Sequence, residues 1–122
     1  IEALTMIDMA NKQIILAVMG FAKSLADTSL AVKAAGGDDS VPSELLKTIT
    51  EKLTETKQAV KHLEEEEKVA FDMPRGKEQA FRYHDKVMMA MNELRRPADE
   101  LEKLVDKTYW PFPTYADLLF EV

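Results

Sequence analysis

The 122-residue chain contains no cysteine, two histidines, four glycines and five prolines. Without cysteine there is no disulfide scaffold, no thiolate zinc site and no cysteine nucleophile. Two histidines leave little from which to build a His-ligated metal centre. The sequence also lacks a phosphate-cradling glycine loop, a nucleophile elbow and any triad-like arrangement. Its 16 basic residues are outnumbered by 22 acidic ones, a net charge of −6, so the basic footprint of a nucleic-acid binder is missing. No unbroken run of about 18 apolar residues occurs and no signal-peptide pattern is visible, so we expect no membrane span. There is no initiator Met: the chain opens Ile1-Glu2-Ala3, and we expect it to be a piece of a longer protein.

What remains is helical periodicity. Gly36-Gly37-Asp38-Asp39-Ser40-Val41-Pro42 and Asp72-Met73-Pro74-Arg75-Gly76 punctuate three stretches that are nearly free of Gly and Pro. Each stretch carries a seam of 3–4 spacing and none alternates with period 2. The first seam is Leu4, Ile7, Asn11, Ile14, Val18, Phe21, Leu25, Thr28 and Val32. The second is Leu46, Ile49, Leu53, Thr56, Val60, Leu63, Glu67 and Ala70. The third is Ala80, His84, Val87, Met91, Leu94, Ala98, Leu101 and Val105.

Helices of about 30 residues run on the order of 45 Å, and short loops make sequential neighbours antiparallel. We therefore predict one all-α domain, an up-down-up antiparallel bundle with helices over about 2–35, 41–72 and 75–108. Pro97 should kink the third helix. A tail over 109–122, with a short helix after Thr114, should pack back onto the bundle.

The charge is uneven. Residues 1–35 are neutral overall, 36–75 carry −4 and 76–122 carry −2. The first helix also bears Met9, Leu16, Met19 and Leu30 away from its seam. A helix apolar on two sides is normally buried on two sides. Either the aromatic tail covers that second face, or it is an interface with missing protein or another subunit; we favour the interface.

Other candidates reduce to structure. Glu64-Glu65-Glu66-Glu67 cannot converge on one ion, because consecutive helical residues diverge by about 100°; a solvated acidic face is expected. His84 falls on the seam and is expected as a hydrogen-bonded core residue. Neither histidine has a Glu three residues before it, so the di-iron bundle signature is absent. The methionines Met6, Met9, Met19, Met88, Met89 and Met91 suit gap-filling in a core or a fixed interface. Arg95 and Arg96 should pair with Glu93, Asp99 or Glu100. No residue is singled out as catalytic, cofactor-binding or metal-ligating.

The C-terminal third is more specific. Met91-Asn92-Glu93-Leu94-Arg95-Arg96-Pro97-Ala98-Asp99-Glu100-Leu101-Glu102-Lys103-Leu104-Val105, Trp110-Pro111-Phe112-Pro113-Thr114-Tyr115 and Asp117-Leu118-Leu119-Phe120 resemble the C-terminal end of type III glutamine synthetases, the long-chain class of that family. Ile1-Glu2-Ala3-Leu4-Thr5-Met6 and Lys12-Gln13-Ile14 are similar to the start of the same region. Relatives often have Pro near Leu16, where this chain reads Ile15-Leu16-Ala17, implying a straighter first helix here.

The resemblance implies a parent enzyme that ligates ammonia to glutamate with ATP and Mg or Mn, in a large cytoplasmic homo-oligomer. Its metal and nucleotide ligands would lie upstream, so the fragment itself should be inactive. Its partners would be its own catalytic domain and neighbouring subunits, and neither nucleic acid nor membrane is expected. Met9, Leu16, Met19, Leu30, Trp110, Phe112, Tyr115, Leu118, Leu119 and Phe120 are the expected structural or interface residues. The alternative is a stand-alone helical adaptor that binds a protein partner through the apolar face of its first helix.

Overall fold

The computed structural model describes residues 2–112. Those residues form three long helices and, among them, no strand. Helix α1 spans Glu2–Ala34; it is α-helical over Glu2–Met9 and Ile15–Ala34, joined by a π turn at Ala10–Ile14. Helix α2 is Ser40–Asp72. Helix α3 covers 77–104, with α-helical Lys77–Arg82 and Met88–Leu104 joined by a second π turn, Tyr83–Val87. Tyr115, Leu118, Leu119 and Phe120, with the short helix expected after Thr114, lie outside the described residues.

Local chemistry explains the ends. At Gly36 the backbone takes φ +86°, which glycine adopts without a Cβ penalty. The Gly36 N–H donates to Lys33 O and the Gly37 N–H to Val32 O (3.1 and 2.8 Å), so two orphan carbonyls of α1 are satisfied in a Schellman closure. Asp38 Oδ1 then accepts from the Ser40 N–H at 3.0 Å, and Ser29 Oγ donates to Asp39 Oδ2 at 2.8 Å, tying the loop to α1. At the other hairpin, Gln79 Nε2 donates to both Ala70 O and Met73 O (3.0 and 3.1 Å). A side chain of α3 thus caps the end of α2.

Cross-helix pairs give the directions. Asn11 meets Lys57 while Ser29 meets Asp39, so α1 and α2 run oppositely. Glu66 meets Arg82, His62 meets Glu93 and Lys52 meets Glu100, so α2 and α3 do too.

The core has two layers. One contains Ala3, Ala10, Val60, Leu63, Ala70, Val87, Ala90, Met91 and Leu94. The other is built from Val18, Ile49, Leu101, Val105 and Trp110. All three helices contribute to each. Ile49, Leu63, Leu94 and Leu101 are fully buried, each worth about 1.5–3 kcal/mol of transfer free energy. Thr56, also fully buried, satisfies its hydroxyl by donating to Lys52 O at 2.8 Å.

The π turns change which residues face this core. Each closes with a bond from residue i to i−5, Ile15 N–H to Ala10 O and Met88 N–H to Tyr83 O, and so inserts one residue into the repeat. Upstream of the first, Ala3 and Ala10 are buried while Leu4 is exposed, where the heptad pattern placed Leu4 and Asn11. At the start of the second, Tyr83 is half-buried and His84 is exposed. His84 is therefore not a core residue, because the inserted residue turns Tyr83 inward in its place.

Helix α3 also ends earlier than the expected 108. Val105 turns extended (φ −84°, ψ 136°), and Asp106 Oδ1 accepts from both the N–H and the Oγ1 of Thr108 (3.0 and 3.1 Å). That local turn competes with further helix. Pro97 is buried within the continuous stretch Met88–Leu104.

Candidate functional site

Helix α1 is unevenly covered. One side packs against α2 and α3 through Ala3, Ala10 and Val18. On the remainder, Leu16 is 58% and Leu30 69% exposed, with Met19 about half exposed. Met9 is placed differently. It lines a groove of about 200 Å³ with Met6, Ile14, Ala98, Trp110 and Phe112, rimmed by Arg95, Asp99 and Glu102.

By length and composition alone α1 could cross a bilayer. Its most apolar 18-residue window has a mean hydropathy of 1.5 and is 6% buried. No unbroken apolar run marks this helix, because Asn11-Lys12-Gln13 and Lys23-Ser24 bound the stretch 14–22 and Asp27-Thr28-Ser29 follows. A packed α1 satisfies the same two measures, so they indicate an apolar face without specifying what covers it.

Trp110 is 91% buried, being 9% exposed, and packs with Val18, Ile49, Leu101 and Val105; Phe112 lies half-buried against the same layer. The preceding Tyr109 ring tilts at 54° against Phe21, with centroids 5.4 Å apart. It lies over Gly20, where an added Cβ would sit 3.7 Å from the Tyr109 ring in ordinary contact. The stretch after α3 is thus fastened to α1 by two aromatic side chains.

The acidic run of α2 divides. Glu64 and Glu65 are exposed, Glu66 is half-buried and Glu67 is buried. Glu66 takes a short ion pair from Arg82. That hydrogen bond, ahead of an opposing effect of burial, holds its carboxyl below the ordinary 4.5. Glu67 Oε1 accepts from Tyr83 Oη at 3.5 Å, a long contact, and Oε2 has no partner among the described residues. Burial, followed by the Glu67 charge, raises the Tyr83 phenol above 10.0. The inner half of this run is therefore part of the α2–α3 contact and not a solvated face.

Further along, His62 sits between Glu93 (3.0 Å) and Glu66 (3.5 Å). Lys52 bridges Glu55 and Glu100, and its hydrogen bond lowers the Glu100 carboxyl. Arg95 donates to Asn92 Oδ1 at 2.9 Å, a partner outside the three carboxylates expected. Among the described residues no three His, Asp or Glu side chains gather to hold a metal ion.

One surface escaped the sequence reading. Leu4, Phe71, Phe81 and Met88 are all exposed near the start of α1, the end of α2 and the start of α3. The signal was available: Phe71 follows the seam residue Ala70, and Phe81 lies between helical positions that the seam uses. Met91 is buried and Met6 and Met9 are half-buried, whereas Met19, Met88 and Met89 are about half exposed.

No family model matches the chain. It is 33% identical over 124 residues to a glutamine synthetase of Butyrivibrio fibrisolvens, an alignment covering 100% of this chain and 18% of that relative. It is 36% identical over 77 residues to a glutamine synthetase of Bacteroides fragilis (strain YCH46), covering 63% of this chain and 11% of the relative. The chain thus spans less than a fifth of the curated relatives it matches. It is related to the glutamine synthetases, matching only the C-terminal end of the relative.

Proposed function

We propose that the chain is the non-catalytic C-terminal helical domain of a type III glutamine synthetase, and that it braces the catalytic domain or a subunit contact. In this reading the three helices act as an up-down-up bundle with a bend at Pro97 and the aromatic tail folded back on α1. The parent would be a cytoplasmic homo-oligomer that ligates ammonia to glutamate, with ATP and Mg or Mn bound upstream of this region. The fragment contributes no catalytic group.

The observation that carries the reading is the bare apolar face of α1. A surface with Leu16 at 58% and Leu30 at 69% exposed is characteristic of an association site. Its place on a chain matching 18% of its relative supports an intramolecular or subunit contact.

The test uses the full-length enzyme with Leu16→Glu and Leu30→Glu introduced together. Placing two carboxylates on a contact face opposes association, so native mass should fall to smaller assemblies while helical circular dichroism is retained. Unchanged assembly and unchanged domain contact would refute the interface. An upstream reading frame without a glutamate- and ATP-binding domain would instead favour the stand-alone adaptor.

A further inference from the structure

The second exposed apolar surface lies at the opposite end from the Gly36 loop and is separate from the outer face of α1. Leu4 and Ile7 of α1 line a groove of about 360 Å³ with Phe71, Glu64, Glu67 and Lys68 of α2. On the other side of α1, Glu2 and Ala3 line a groove of about 540 Å³ with Tyr83, Val87, Met88 and Met91 of α3. Phe81 and Met73 line a third depression together with Lys77, Glu78, Arg82, Asp85 and Lys86. Phe71 is 70%, Phe81 66% and Leu4 54% exposed. Apolar patches with polar rims mark association sites, and exposed phenylalanines at two helix ends are costly to leave in water.

The first turn of α1 lies between the two larger grooves, since Ala3 lines one and Leu4 the other. In the Butyrivibrio relative the matching region is 18% of the chain and C-terminal, so the rest of that polypeptide enters through this turn. We propose that this end of the molecule is the seat of the chain segment that precedes it in the parent enzyme. That segment would place apolar side chains in the two grooves on either side of α1. The proposal rests on the domain assignment above but names a different surface, so the two can fail separately.

Methionine provides an internal reporter at each surface, because oxidation by peroxide follows exposure. Met88 lines the α1–α3 groove, whereas Met19 lies on the outer face of α1; both are about half exposed in this structure. The full-length enzyme is treated with dilute hydrogen peroxide, native or denatured, and sulfoxide at each position is read by peptide mass spectrometry. With the segment seated, Met88 should oxidise at least about tenfold more slowly in the native enzyme than in the denatured one.

The double variant Ala80→Glu, His84→Glu, which places charge on two exposed residues of the groove that Met88 lines, should bring Met88 to within about twofold of its denatured rate with helical circular dichroism unchanged. Native Met88 oxidising at the denatured rate overturns the proposal. So does Met88 protection that survives the double variant, or protection that appears only as concentration rises, which would identify a second copy as the occupant. Met19 reports on the α1 outer face alone, so its protection beside an unprotected Met88 overturns this proposal and leaves the domain assignment standing.

Discussion

Trp110 carries much of the core layer that it shares with Val18, Ile49, Leu101 and Val105. Truncating a buried aromatic removes its transfer free energy and leaves a cavity, so Trp110→Ala should destabilise the chain by roughly 3 kcal/mol or more. Its indole N–H has no acceptor among the described residues, so Trp110→Phe removes an unsatisfied donor along with some area. That substitution should cost no more than about 1.5 kcal/mol. Denaturant unfolding of the two variants checks both values. Equal losses would show that the ring volume is not what holds the layer.

Glu66 determines part of the acid response. Its carboxyl is held below 4.5, first by the Arg82 hydrogen bond, so the unfolded chain binds the proton at higher pH than the folded one. The stability it contributes is complete above the ordinary carboxylate value. It is lost as pH falls through the lowered value. Glu66→Gln should therefore melt lower than the parent chain at pH 7, with the difference shrinking as pH is taken below about 4. Thermal melts across that range decide it. Glu67 was legible as a seam position from spacing alone, whereas the Arg82 partner of Glu66 was not, because nothing in a sequence pairs residues 16 positions apart on different helices.

At the level of elements, the helices themselves were readable: three periodic stretches separated by two Gly- and Pro-marked loops. The local register was not. A π turn leaves no composition signature, since Ala10–Ile14 and Tyr83–Val87 read as ordinary helix, yet each moves the upstream seam by one position. Ala10, 1% exposed, now occupies an inner position that admits no larger side chain. Ala10→Leu should overpack the layer and destabilise by about 1–3 kcal/mol, whereas Leu4→Ala should change stability little. The reverse order in denaturant unfolding would restore the uninterrupted heptad register. Gly36, at φ +86° with open space around its would-be Cβ, is limited by backbone conformation only. Gly36→Ala should cost about 1 kcal/mol, with Gly36→Asn costing less, as melts of the two would show.

For the molecule as a whole, the charged side chains paired between α2 and α3 serve the packing of helix on helix. A chain whose ionisable groups pair helix to helix, as Lys52 does with Glu100 and His62 with Glu93, uses them to align its elements. On the domain assignment proposed above, purified chain incubated with glutamate, ATP, ammonia and magnesium should show no turnover. Phosphate release dependent on all three substrates would contradict the domain assignment directly.

The absence of cysteine, the 3–4 spacing and the two loop motifs determined by themselves that the described residues form three long helices, with no strand among them, and that the chain has no thiol chemistry. Periodicity is a local property, and one face of each helix must be buried wherever the helix lies. The C-terminal motifs also carried the relationship to glutamine synthetases, because side-chain order is what that comparison reads. Only the tertiary structure decided that Ala3 and Tyr83 turn inward while Leu4 and His84 turn out. It also decided which acidic residues are sequestered and where Phe71 and Phe81 stand bare. Those outcomes depend on the rotation of one helix against its neighbours, and a single inserted residue in a π turn is enough to change it.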